Sequence, residues 1–274
     1  VLASIEANRV HGITLAADLN KGYISNGKDS SVTVFDLSTL KILSVIKTKG
    51  ANPDAILYDA FSKQVFVFNG RSKNATVIDA KTDLVIETIV LSGKPEFSVS
   101  NENGKIYVNI EDKNEITVIN ATTLKVEQVW SIAPGEEPTG LAIDNKTHCL
   151  FSVCGNKLMM VVNAETGKVI TSLPIGDGCD GVAFDAELKR AYSSNGEGTV
   201  TVVQEEDGNK FKVMETIKTE KWARTITVNP KTHHVFLPVA ERGDEPKPTA
   251  ENPHPRAAMK PNSFLILELA QTTK

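Results

Sequence analysis

One short segment recurs six times along this chain at nearly constant spacing, and that regularity limits the possible folds more than any single motif. The copies are Val10-His-Gly-Ile-Thr-Leu, Pro53-Asp-Ala-Ile-Leu-Tyr-Asp, Pro95-Glu-Phe-Ser-Val-Ser, Pro138-Thr-Gly-Leu-Ala-Ile-Asp, Cys179-Asp-Gly-Val-Ala-Phe-Asp and Ala223-Arg-Thr-Ile-Thr-Val-Asn. Their first residues lie 43, 42, 43, 41 and 44 positions apart. A fixed period of this size marks a chain built from one repeated supersecondary unit.

Each unit continues in the same order. An apolar run follows the anchor, as in Gly22 to Asn26, Val65 to Asn69 and Ala191 to Asn195. A polar turn leads to a third run, as in Val32 to Asp36, Ala75 to Asp79 and Ile116 to Asn120. A fourth closes the unit, as in Lys41 to Ile46, Leu84 to Ile89 and Phe211 to Ile217. Period-2 patterns bounded by Gly, Asn, Asp and Lys predict strands joined by hairpins. Four strands per unit is the arithmetic of a β-propeller blade, whereas a solenoid coil holds fewer and a sandwich does not repeat so evenly. The expected fold is therefore an all-β, six-bladed β-propeller of four-stranded antiparallel blades, one domain over 1–274. The last repeat has only three strand-like runs. Val1-Leu-Ala-Ser-Ile5 matches Val169-Ile-Thr-Ser-Leu173, so the amino-terminal strand is expected to close the ring.

Composition supports a folded core: 41% of the residues are hydrophobic and 23% charged. The net charge of -4 provides no overall field to collect phosphates, which argues against generic nucleic-acid binding while leaving a local basic patch open. The three cysteines, Cys149, Cys154 and Cys179, cannot complete a disulfide framework and are expected as buried thiols. No apolar run approaches the roughly 18 residues needed to span a bilayer as a helix. No signal peptide is visible, and the chain starts without Met inside a strand-like segment.

These repeats resemble the YncE-like, YVTN-repeat family of bacterial β-propellers. The resemblance is carried by His11-Gly-Ile-Thr-Leu with Ser25-Asn-Gly and Thr33-Val-Phe-Asp36, by Asn52-Pro-Asp-Ala-Ile-Leu-Tyr-Asp59, and by Phe68-Asn-Gly-Arg-Ser72. Gly93-Lys-Pro-Glu-Phe97, Glu137-Pro-Thr-Gly-Leu-Ala-Ile-Asp144 and Ser193-Ser-Asn-Gly-Glu-Gly-Thr199 extend it along the chain. It implies a periplasmic or exported protein with no established catalytic residues. Members usually have seven blades, so either an amino-terminal blade is missing here or the ring has six.

In a propeller the first strand of each blade lines the central channel, and function usually sits on the loops at its mouth. The second anchor residue holds the same phase in every repeat: His11, Asp54, Glu96, Thr139, Asp180 and Arg224. Equal phase predicts a ring, five of whose members can carry charge. Such a ring is either solvated and self-paired, or a receptor for a cation or cationic ligand. Clustered carboxylates suit a hard divalent metal, for which His11, Asp54, Glu96 and Asp180 are the candidate ligands. A metal there could also polarise an ester, as in propeller lactonases. The turns add Asn26, Lys28, Asn69, Arg71, Asn109, Glu111, Lys113, Cys154, Asn156, Asn195 and Glu197 to the expected mouth. The Asn-Gly pairs read more simply as turn formers that accept positive φ.

The last repeat carries a proline-rich insertion, 240–261, between its second and third strands. A loop of this length is often a lid or a binding element. The expectation is that it crosses the mouth and brings His254 or Arg256 near the rim. His148, His233 and His234 fall in turns on the opposite face and are expected in solvent. No Ser-His-Asp set, P-loop or dinucleotide fingerprint is present. The leading function is therefore a binding or interaction scaffold with an unknown small-molecule or protein partner. A metal-dependent, lactonase-like hydrolase is the first alternative. Single-stranded nucleic-acid binding is the second, with Trp222 beside Arg224 the only fragment of a stacking platform.

Overall fold

The computed structural model describes residues 4–206, 210–244, 246–247, 249 and 257–271. The chain forms two compact units, one spanning Val1–Asn156 and Met160–Ser172, the other Lys157–Met159 and Leu173–Lys274.

The first unit is made of antiparallel meanders in chain order. The first sheet is β1 (Val10–Ala16), β2 (Lys21–Asn26), β3 (Ser31–Asp36) and β4 (Ile42–Lys47). The second is β5 (Pro53–Asp59), β6 (Gln64–Asn69), β7 (Asn74–Asp79) and β8 (Leu84–Val90). The third is β9 (Pro95–Ser100), β10 (Lys105–Ile110), β11 (Glu115–Asn120) and β12 (Lys125–Ser131). The fourth comprises β13 (Pro138–Asp144), β14 (Cys149–Cys154), β15 (Leu158–Asn163) and β16 (Val169–Pro174), whose last residues belong to the second unit. Within the first unit β1, β5, β9 and β13 pack side by side in that order.

The second unit holds a four-stranded sheet, β17 (Cys179–Asp185), β18 (Arg190–Asn195), β19 (Thr199–Glu206) and β20 (Lys210–Lys218). It also holds a three-stranded one, β21 (Thr227–Val228), β22 (Val235–Val239) and β23 (Leu265–Leu269). Here the structure corrects the sequence reading: Ala223 to Ile226 form no strand, and β21 has two residues. Ser4 to Ala7 carry no strand either, and Val1 to Ala3, on which the expected closing strand depends, lie outside the described residues. No helix among the described residues is long and apolar enough to cross a membrane.

The middle strands are buried on both faces rather than alternating. Tyr23, Ile24, Ser25 and Asn26 are all buried, as are Val65, Phe66, Val67 and Phe68. The second sheet shows the cause, because it is sandwiched between its neighbours. One face of the second sheet, Val65, Val67, Ile78 and Ala80, packs on Ala16, Tyr23, Val32 and Val34. Its other face, Phe66, Phe68, Ala75 and Val77, packs on Ile106, Val108, Ile110 and Ile119. In the second unit Tyr192, Val200 and Val202 meet Val235, Leu237 and Val239 in the same manner.

The turns between third and fourth strands form as expected. The side-chain oxygens of Asp36, Asp79, Asn120 and Asn163 accept backbone N–H groups two and three residues on, at 2.7 to 3.0 Å. These Asx turns fix each hairpin locally. The Asn-Gly turns do not form as expected. The left-handed residue between second and third strands is Ser30, Lys73, Asn114, Lys157 or Gly198, never the Asn-Gly pair. Asn26, Asn69 and Asn195 are instead buried struts. Their amides donate across the hairpin to Ser31 and Thr33, to Asn74 and Thr76, and to Thr199 and Thr201.

Polar joints link neighbouring sheets within each unit. The Asn109 amide donates to the carbonyls of Thr139 and Gly140, both at 3.0 Å, and its oxygen accepts from Ser152 at 3.1 Å. At the equivalent position the Ser25 hydroxyl lies 2.5 Å from the Asp54 carbonyl, and that of Ser194 lies 2.5 Å from the Arg224 carbonyl. Truncating a fully buried amide orphans all its partners. Asn109→Ala is expected to lower the unfolding free energy by roughly 1–3 kcal/mol for each group left unpaired. Denaturant unfolding reads this directly, and an unmoved midpoint would contradict the joint.

Candidate functional site

Each of the first five sheets pairs its anchor with the end of its second strand: Val10 with Asn26, Pro53 with Asn69, Pro95 with Ile110, Pro138 with Cys154 and Cys179 with Asn195. The register then slips at the next residues in every case. His11, Asp54, Glu96, Thr139 and Asp180 therefore sit in β-bulges, which re-aim side chains out of the pleat. The backbone is also close-packed there. A Cβ on Gly12 would meet the Asp54 carbonyl at 3.0 Å, and one on Gly181 the Arg224 carbonyl at 3.0 Å.

In the first unit this places a half-buried charged cluster at the starts of β1, β5 and β9. His11 Nδ1 lies 3.3 Å from Asp54 Oδ1. Lys94, one residue before β9, puts its ammonium 2.7 Å from Glu96 Oε1 and in contact with Glu111. Glu111 opens a 3-10 turn, Glu111–Lys113, after β10. Burial pushes the Glu96 carboxyl up to about 7 against the lowering effect of Lys94, with the Asp54 and Glu111 charges adding to the rise. Burial pulls the Lys94 ammonium down, but the carboxylates of Glu111 and Glu96 together outweigh it and hold it well above the usual lysine range. Three carboxylates thus share one lysine and one histidine.

No three His, Cys, Asp or Glu side chains among the described residues are placed to hold a metal ion together. This corrects the metal set read from sequence, His11, Asp54, Glu96 and Asp180. Lys94, which lies outside the repeated anchor phase, supplies the cation at Glu96. The signal was present one residue before the anchor, in Gly93-Lys-Pro-Glu.

In the second unit Asp180 Oδ2 lies 3.5 Å from Arg224 Nε, so these two ring candidates neutralise each other. Glu197 binds the Thr199 hydroxyl at 2.9 Å. The insertion begins as a paired stem: Arg242 bridges Met259, Gly243 donates to the Ala258 carbonyl, and Lys260 donates to that of Glu241. Arg242 stacks over the Trp222 ring, 5.0 Å from its centroid. Around this pair lies a cavity of about 410 Å³. His254 and Arg256, expected at the rim, lie outside the described residues.

The remaining mouth candidates divide. Lys28, Arg71 and Lys113 are exposed. Asn26, Asn69 and Asn195 are buried struts and so are withdrawn as ligand-binding residues. Asn109 is buried too, because Ile110 rather than Asn109 ends β10 opposite Glu115. Cys154 is buried with Cys149 and Cys179. Asn156 braces the β12–β13 connection, donating to the Pro134 carbonyl at 2.8 Å and accepting from the Glu136 N–H at 3.2 Å. His148 is exposed as expected. His233 is not simply in solvent: its Nδ1 lies 2.7 Å from the buried Asp185 carboxylate. His234 pairs with Glu268 at 2.6 Å.

No family model matches the chain. Antigen Lp49 of Leptospira interrogans serogroup Icterohaemorrhagiae serovar copenhageni (strain Fiocruz L1-130) is 24% identical over 195 residues, 64% of this chain. The chain spans only 40% of that relative's length. Among solved structures, the Myceliophteria thermophila Cps50 (Swd1) β-propeller domain superposes with a TM-score of 0.73 at 8% identity, over 86% of this chain and 81% of that one. A chain of a mitotic checkpoint complex gives 0.73 at 12%, over 86% and 73%. A chain of Kuenenia stuttgartiensis hydrazine synthase gives 0.61 at 15%, over 86% and 94%. At such identities the likeness concerns fold alone, and the fold of this chain is the β-propeller.

A carboxyl whose folded value lies above its unfolded one binds its proton more tightly when folded. Glu96 therefore destabilises the chain progressively as pH rises from about 4.5 to about 7, and by a constant amount above that. Glu96→Gln is expected to stabilise the protein at pH 8 by on the order of 1–3 kcal/mol and to leave it unchanged near pH 4. Unfolding curves at the two pH values check the sign.

Proposed function

We propose that this chain is a binding scaffold whose first unit receives a cationic group of a protein or small-molecule partner. The observation that carries the reading is the excess of carboxylates in the cluster: Glu96 and Glu111 share Lys94, and Asp54 has only His11 beside it. A partly buried acidic site keeps more of its attraction for a cation than exposed carboxylates do. The bulged strand starts hold these side chains on rigid backbone, which lowers the ordering cost of binding. The propeller fold, commonly put to binding and interaction, supports the same use. Export from the cytoplasm belongs to the proposal and rests on the family resemblance alone. A lactonase-like reaction has less support, because Lys94 serves the carboxylates that a metal would need.

Agmatine, which carries an amine and a guanidinium, is a suitable probe. Saturable binding is expected that strengthens by about tenfold between pH 6 and pH 8, as Glu96 ionises. Asp54→Asn and Glu96→Gln should each weaken it at pH 8 by about the same factor. Calorimetric titration reads both, and pH-independent binding equal in all three proteins would overturn the reading.

A further inference from the structure

The second unit carries a separate feature that the charged cluster does not use. Five of the six repeats have a left-handed residue just before the anchor: Arg9, Asn52, Glu137, Gly178 and Trp222, with φ between 50° and 71°. Asn and Gly accept that conformation readily, whereas a bulky side chain there is strained. Trp222, at φ 71°, is the bulkiest of the five. Strained side chains of this kind tend to persist where a site needs them.

The indole forms one wall of the cavity of about 410 Å³, with Arg242 stacked on it. Volumes of this size suit small organic ligands. The other walls mix apolar residues, Val239, Ala240, Ala257 and Leu265, with the charged Glu220, Lys221 and Glu241. The charges on the lining nearly cancel. Glu241 is paired with Lys260 at 3.0 Å, and the lining also carries one further charge of each sign, Glu220 and Lys221. Arg242 is left as the cation, since no carboxylate among the described residues pairs with it. One of its N–H groups goes to the Ala257 carbonyl at 2.9 Å, which anchors the guanidinium to the stem of the insertion. A guanidinium fork held in this way against an aromatic face matches a planar carboxylate.

We propose that this cavity binds a small planar organic anion, an aromatic carboxylate, with its ring beside Trp222 and its carboxylate on Arg242. The site lies wholly in the second unit, and its success or failure is independent of the cationic-ligand reading above.

The test uses the full chain with Trp130→Phe, which leaves Trp222 as the sole tryptophan of the two. Its indole N–H resonance then reports on the cavity directly. Indole-3-carboxylate is expected to shift that resonance saturably, and indole or inorganic phosphate to bind at least about tenfold more weakly. Arg242→Gln should weaken the carboxylate by about tenfold or more, while Lys212→Gln, which removes a cation of β20 outside the cavity lining, should leave it within about twofold. Equal binding of indole and its carboxylate would overturn the proposal, as would equal losses in the two variants. So would the absence of a saturable shift up to about 10 mM.

Discussion

A β-sheet buried on both faces cannot stand alone in water, and the middle strands of the first five sheets are of that kind. Val65 and Val67 turn to one neighbouring sheet while Phe66 and Phe68 turn to the other. Burial of such side chains contributes about 25 cal/mol per Å² removed from water. That driving force exists only when neighbouring sheets are stacked. Local hairpins are therefore specified by turn chemistry, but their survival depends on packing between repeats. The polar joints at Ser25, Asn109 and Ser194 add direction to this otherwise undirected attraction.

Most of the architecture was legible because it follows from period and pattern. The near-constant spacing reveals the repeat, and the Asp or Asn five or six residues before the fourth strand of the first four sheets reveals the turn. What was misread involved position within a strand. Asn26, Asn69 and Asn195 look like turn residues because Gly follows them, yet their amides face inward and the positive φ falls three or four residues later. Asn109 was placed one residue out of phase, since Ile110 rather than a polar residue ends that strand. The sixth anchor has the spacing of a strand, but most of it forms no ladder. Burial state and register depend on the neighbouring sheet, which a single repeat does not encode.

The candidate site was partly legible for the same reason. His11 and Asp54, and likewise Asp180 and Arg224, hold the same phase in successive anchors, and each pair is in contact. That phase did not reveal Lys94, which lies outside it and decides the chemistry of Glu96. Nor did it reveal the meeting of Trp222 with Arg242, which are twenty positions apart and belong to different loops. The His233–Asp185 contact joins turns of adjacent repeats and was equally invisible to a reading of one turn at a time.

The insertion in the last repeat leaves and rejoins the sheet through the paired stem that begins at Arg242 and Met259. Because both feet of this loop stand on one hairpin, lengthening or shortening it changes only a closure entropy that grows slowly with length. The sheet beneath has no need to move. Such a loop is free to diverge in size and sequence while the framework stays fixed, so a lineage carrying this fold could acquire new binding partners by editing one tip, without disturbing the interleaved layers that hold the molecule together.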